Sequence, residues 1–339
     1  MRRLTAGRAV AEMVAGAWRV ERPSVPSPCE GAAELVPLLI RGGVGALAWR
    51  KIQLSGVAGE PSFRPLQDAY RLNALQAAVQ SHALRDVVAA LEAAGVAALL
   101  GKGLAAARLY PETGLRPAGD IDLYVPAQDV PVARSVLANV PAAIDLHAGA
   151  AELDDRRWDD LLECSVPIAA DAGVRTFGRE DHLRLMALHM LRHGAWRPLW
   201  LCDVAAAAES VAGGFDWDRL LGGDRRRADA VACALGLAHE LLGARLDGAP
   251  AAMRSRRLPG WMVPAVLRQW GDPRLEPQSR RRPFAADLAR PAAALAALVR
   301  RWPNPVEATL NVRAPINGVP RLPFQILECV RRTARFARG

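Results

Sequence analysis

Apolar residues recur first at helical and then at strand-like spacing along this chain, and the change of period marks a small sheet set among helices. Between residues 64 and 94, Leu66, Tyr70, Leu72, Leu75, Val79, Leu84, Val87, Val88 and Leu91 follow the period of an amphipathic helix, and Gly95 is placed to stop it. The apolar run Val96–Leu100 predicts a strand ending in the turn Gly101-Lys102-Gly103. A short Ala-rich helix over Leu104–Tyr110 follows, and a loop broken by Pro111, Gly114 and Pro117 leads to a second strand, Asp120–Val125. Val130–Leu137 reads as a helix, Ala142–His147 as a strand, and Val166–Ala169 with Val174–Phe177 as a hairpin. From Arg179 onward the pattern is helical, with segments near 180–194, 198–212, 228–243, 262–270, 284–301 and 323–336. Ahead of the long helix, Leu35–Ile40 and Val44–Trp49 read as short helices, and the Pro/Ser-rich stretch Pro23–Pro28 as a flexible lead-in behind an initial helical pattern.

These elements predict an α+β protein: a small mixed β-sheet core with N-terminal helices and a helical C-terminal region. The expected divisions are 1–63 for the lead-in and first helices, 64–178 for the α/β core, and 179–339 for the helical region. No internal repeat of fixed period is evident.

The candidate chemistry sits on the turn and the strand after it. Side chains alternate along a strand, so Asp120 and Asp122 share a face while Ile121 and Leu123 point to the core. Two carboxylates on one face can hold a hard cation. Opposite them, a glycine turn whose N–H groups and lysine can meet phosphate oxygens completes the apparatus of metal-dependent phosphoryl or nucleotidyl transfer. Ile144-Asp145-Leu146 repeats the device, a carboxylate between two apolar neighbours, and His147 lies on the same face as Asp145.

Leu100-Gly101-Lys102-Gly103, Arg116, Asp120-Ile121-Asp122-Leu123 and Asp145-Leu146-His147 resemble the motifs of the nucleotidyltransferase fold of the DNA polymerase β type. More closely, they resemble those of a bacterial family of uncharacterised nucleotidyltransferases, whose later histidines and aspartate correspond to His189, His193 and Asp203. The resemblance implies an enzyme that moves a nucleoside monophosphate from an NTP donor to an acceptor, using Mg2+ or Mn2+ in its place. It implies metal ligands at Asp120, Asp122 and Asp145, with Asp145 completing the catalytic site and assisting deprotonation of the acceptor. It places Gly101, Lys102 and Gly103 on the β- and γ-phosphates. Arg116 either clamps the triphosphate or pairs with an acid, and His147 either orients the acceptor or a phosphate or is a surface residue. The Gly-Lys-Gly turn departs from the Gly-Ser or Gly-Gly turn of the wider superfamily, replacing a hydroxyl donor with a point charge. Acceptors open to such an enzyme include a small metabolite, a peptide or protein, and an RNA end. The alternatives are γ-phosphoryl transfer at the same site and a non-catalytic nucleotide-binding scaffold.

Competing motifs fit less well. Gly101-x-Gly103-x-x-Ala106 matches a dinucleotide fingerprint, yet the acids open their strand where the fingerprint's ribose-binding acid closes it, and the intervening helix is short. A Walker loop needs glycine at 96, which is valine, and Ser or Thr after Lys102, which is glycine. His189 and His193 share a helix face, but methionine at 190 excludes the His-Glu-x-x-His zinc motif, and both read as core or hydrogen-bonding residues.

Composition narrows the setting. The net charge of +9 concentrates late, in Arg254–Arg257, Arg280–Arg282 and Arg331–Arg338, which favours anionic partners and makes RNA admissible. The five cysteines are scattered with no Cys-x-x-Cys, the pattern of reduced thiols. No run approaches the roughly 20 apolar residues of a membrane span. A cytoplasmic protein with no membrane partner is expected.

Overall fold

A computed structural model describes residues 3–21, 31–53, 57–168, 173–211, 213–274 and 302–336. The expected lead-in at Pro23–Pro28, the helix at 284–301 and the Arg280–Arg282 cluster lie outside the described residues.

The chain is a mixed α+β structure. Four helices come first: α1 (Arg3–Val14), α2 (Val36–Arg41), α3 (Gly45–Ile52) and the long α4 (Arg64–Ala93). The core follows as β1 (Leu99–Leu100), α5 (Lys102–Ala107), β2 (Ile121–Val125), α6 (Val130–Leu137), β3 (Ile144–Ala148), α7 (Trp158–Glu163), β4 (Val166–Pro167) and β5 (Arg175–Thr176). Helices α8 (Arg179–Arg192), α9 (Pro198–Glu209), α10 (Trp217–Leu221), α11 (Arg225–Leu242), α12 (Ala251–Arg254) and α13 (Met262–Trp270) come next, and helices Pro305–Asn311 and Leu322–Phe336 close the described chain. Among the described residues no helix is long and apolar enough to cross a membrane.

The five strands of the described residues form one sheet in the order β3-β2-β1-β5-β4. β2 runs parallel to β3 and antiparallel to β1; β1 runs parallel to β5, and β4 and β5 form an antiparallel hairpin. Alternation gives the sheet two faces. On one, Leu100, Ile121, Leu123 and Val125 pack with Leu84, Val87 and Leu91 of α4 and with Ala133 and Leu137 of α6. On the other, Leu99 and Tyr124 pack with Phe177 and with Leu185 of α8.

Strand β1 is shorter than the apolar run that predicts it. Gly95 adopts φ +69°, and the Val96 N–H closes back on the Leu91 carbonyl, so the first residues of the run finish the helix end before pairing begins. Helix α4 has the expected limits, but Leu72, Leu75 and Val79 on its middle turns are exposed, so helical periodicity there does not mark burial.

The helical region is one packed body. Val10 and Val14 of α1, Leu39 and Leu47 of α2 and α3, Leu188 and Leu191 of α8, Val231 and Leu235 of α11 and Val266 of α13 share a single hydrophobic cluster. The first helix and α13 approach with backbones nearly touching, because a Cβ on Gly7 would fall 2.0 Å from the Leu267 carbonyl oxygen. The N-terminal helices therefore pack against the C-terminal helices as well as against α4.

Candidate active site

The parallel pairing of β2 and β3 sets Asp122 beside Asp145 and Tyr124 beside His147. Side chains at registered positions of adjacent strands point to one face, so the two carboxylates stand next to each other and the two rings stack, with centroids 4.4 Å apart and planes 17° apart. Tyr124 is buried, and burial together with the nearby Asp122, Glu152 and Asp145 carboxylates pushes its phenol far above the usual range, so it serves as a neutral plate. Held against it, His147 reaches back to the acids: its Nε2 lies 3.3 Å from Asp122 Oδ1 and 3.1 Å from Asp145 Oδ2.

The glycine turn closes on the same carboxylates. The Gly101 N–H donates to the Asp122 carbonyl at 3.0 Å. A Cβ on Gly101 would fall 2.5 Å from the Tyr124 ring, so the missing side chain lets the turn lie against the sheet. Lys102 adopts φ +41°, a conformation costly for a residue with a Cβ. Its ammonium lies 2.9 Å from Asp122 Oδ1, 3.3 Å from His147 Nε2 and 5.5 Å from the Tyr124 ring centroid. Burial alone would raise the Asp122 pKa; the hydrogen bond from His147 and the charge of Lys102 outweigh it, and the carboxyl lies below its ordinary value.

The acids divide differently from the sequence expectation. Asp120 precedes β2 and is exposed at the lip of the cleft, so it is not paired within the strand. Among the described residues, the group able to surround one cation is Asp122, Asp145 and His147, whose ligand atoms all lie within 4.8 Å of one another. Two carboxylates and an imidazole are a donor set that could hold a divalent cation; the Lys102 ammonium already lies against Asp122, where it would compete with such an ion.

Arg116 has its fork occupied. Its Nε and Nη2 donate to the two Asp203 carboxylate oxygens at 2.9 Å each, Nη1 donates to the Pro117 carbonyl, and the Tyr110 hydroxyl donates to Asp203 at 2.7 Å. Of the two roles open to Arg116, pairing with an acid is the one its contacts display. The network ties the loop before β2 to α9.

The cleft itself has a volume of about 250 Å³. Lys102, Gly103, Arg116, Asp120, Asp122 and Asp145 line it from the core, while Met186 and His189 of α8, and Arg197, Trp200 and Asp203 at the start of α9, line it from the helical side. His189, His193 and Trp200 form an aromatic group, with ring centroids 4.5 Å apart between the histidines and 5.2 Å between His189 and Trp200. Burial, then the Lys102 charge, pushes His189 well below its ordinary value and keeps it neutral. Arg197 and Trp200 had no sequence signal, because they belong to the start of a helix far along the chain that reaches the cleft only in three dimensions.

A family model described as "Uncharacterised nucleotidyltransferase" matches residues 28–140 and 139–243, which include the turn, both acidic strands and α8 and α9. No curated protein and no solved structure matches the chain.

Proposed function

The chain belongs to the family of uncharacterised nucleotidyltransferases, and from that premise we propose that it moves a nucleoside monophosphate from an NTP to a hydroxyl or phosphate acceptor with the help of a divalent cation. One observation carries the reading: Asp122, Asp145 and His147 converge within 4.8 Å, and the two carboxylates line one cleft with Lys102 and Gly103. Asp122, Asp145 and His147 would hold the ion, with Asp120 at the lip available to a second. The bound ion supplies charge neutralisation at the phosphates and lowers the pKa of the attacking hydroxyl.

The chain's own groups do the rest. The acceptor oxygen attacks the α-phosphorus, the bond between that phosphorus and the bridging α–β oxygen breaks, and pyrophosphate leaves. Asp145, with its side chain 50% exposed, is the carboxylate with access to the acceptor and takes its proton. Lys102 and the Gly103 backbone, which line the cleft, face the leaving polyphosphate, where a compact ammonium supplies charge without a fixed fork, while the Gly101 N–H is held by the Asp122 carbonyl. Stacking on Tyr124 holds the His147 ring in the orientation that a ligand needs. Arg116 acts at one remove, by fixing the loop that presents Asp120.

The test is incubation of the purified protein with each NTP labelled at the α-phosphate, Mg2+ or Mn2+, and pools of small molecules, peptides or RNA. Transfer of the α label with pyrophosphate release, lost in Asp122→Asn and Asp145→Asn, is the expected result. Transfer of a γ label in its place would assign phosphoryl transfer to the site. Nucleotide binding without any transfer, unchanged in both variants, would leave a scaffold.

A further inference from the structure

With Arg116 committed to Asp203, the polyphosphate needs another guanidinium, and the cleft contains one. Arg197 lines the cleft immediately before Pro198, at the start of α9. Its Nε is buried with no hydrogen-bond partner, and among the described residues its guanidinium makes no ion pair. Asp203, the acid nearest in the network, is already bidentate to Arg116 and accepts from Tyr110. The Arg197 side chain lies flat on Gly43: a Cβ there would fall 2.5 Å from its Nη2 and 2.8 Å from its Nε. Gly43 itself has φ +73°, so both its conformation and this contact call for a residue without a side chain. The floor beneath the guanidinium is thus shaped to hold it in place. Burial and the neighbouring Arg116 charge both disfavour its protonated form, and only Asp203 offsets them.

The Arg197 side chain is half-buried, and a cation drawn part-way out of water with no counter-ion is costly unless a ligand completes it. The ligand charge that suits this one is negative and multivalent, because Arg197 faces a cleft whose opposite wall carries Lys102. The backbone adds to it: α9 opens at Arg197 with no side-chain cap, so the positive end of the helix dipole lies at the same wall.

We propose that Arg197 is the phosphate clamp of the cleft, gripping the terminal phosphates of the donor from the helical side while Lys102 meets them from the glycine turn. This rests on the reading that the cleft takes a nucleoside triphosphate, and it assigns the polyphosphate subsite of that ligand to a residue outside the recognised turn and strands.

The test separates the clamp from the transfer chemistry by using inorganic tripolyphosphate without metal, read by calorimetry and thermal unfolding of the full chain. Wild-type protein is expected to bind tripolyphosphate and to melt higher in its presence. Arg197→Met should weaken that binding at least tenfold, about 1.4 kcal/mol, and should melt no lower than wild type without the anion, because it removes a half-buried charge that no counter-ion pairs. Arg197→Lys should retain part of the affinity. Tripolyphosphate binding unchanged in both Arg197 variants would overturn the assignment while leaving nucleotidyl transfer intact. A melting temperature that falls in Arg197→Met with undiminished affinity would show a packing role and overturn it equally. Arg197-dependent binding in a protein that transfers no α label would keep the clamp and reject the transfer reading.

Discussion

Replacing Asp203 with asparagine tests how the helical region holds the catalytic loop. Asp203 is 2% exposed and accepts both fork nitrogens of Arg116 and the Tyr110 hydroxyl. Asparagine keeps the shape but removes the charge and turns one acceptor into a donor that faces a guanidinium N–H. Arg116, itself 7% exposed, is then left buried without its counter-ion. Breaking a buried pair from one side costs about 3–5 kcal/mol. A separate count agrees: losing one charge-assisted bond and weakening another, at about 1.5–3 kcal/mol each, gives a similar figure. For a chain of this size, at about 2 °C per kcal/mol, Asp203→Asn should lower Tm by roughly 8 °C. Urea unfolding followed by tryptophan fluorescence measures the free energy directly. The double variant Arg116→Met/Asp203→Leu should recover most of the loss, since it leaves no orphaned charge. A loss below about 1 kcal/mol in Asp203→Asn, or a double variant no more stable than the single one, would refute the view that Arg116 is chiefly a tie between loop and helix.

Three further outcomes are expected. His182 is fully buried with an unpartnered Nε2, and burial, with Arg108 and Arg116 adding to it, pushes its pKa down to about 3 against an ordinary 6.5. The unfolded chain therefore binds the extra proton between those values, so stability is full above pH 6.5 and falls toward pH 3 by up to about 1.4 kcal/mol per unit; His182→Leu should flatten that slope in urea titrations at pH 7 and pH 5. Gly101→Ala should cost about 1–3 kcal/mol in thermal unfolding, because its Cβ would fall 2.5 Å from the Tyr124 ring. In His147→Asn the affinity for Mn2+ should fall about tenfold or more while that for Mg2+ changes less, and the imidazole nitrogen coupling seen by electron spin-echo spectroscopy of bound Mn2+ in the wild type should vanish.

Local pattern alone carried much of this protein. Helix α4, strands β2 and β3, and helices α8, α9, α11, α13 and Leu322–Phe336 follow from spacing and punctuation, since the forces that select them act between residues a few positions apart; the short helices α10, α12 and Pro305–Asn311 were not expected, and Lys102 and Gly103, expected in a turn, open α5. The carboxylates of Asp122 and Asp145 were likewise legible, because each interrupts an apolar strand. What the sequence left open was which of the acids meet. That depends on the parallel register of β2 with β3, which pairs Asp122 with Asp145 and turns His147 into their neighbour while Asp120 is left at the lip. Register is set by the packing of a whole sheet face, so no local signal encodes it. The same holds for the arginines: Arg116 and Arg197 look alike in the chain, and only the arrival of Asp203 beside the first leaves the second unpaired. Charge pairing over 87 positions is decided by tertiary contact, through which residues burial forces together and which it leaves facing the cleft.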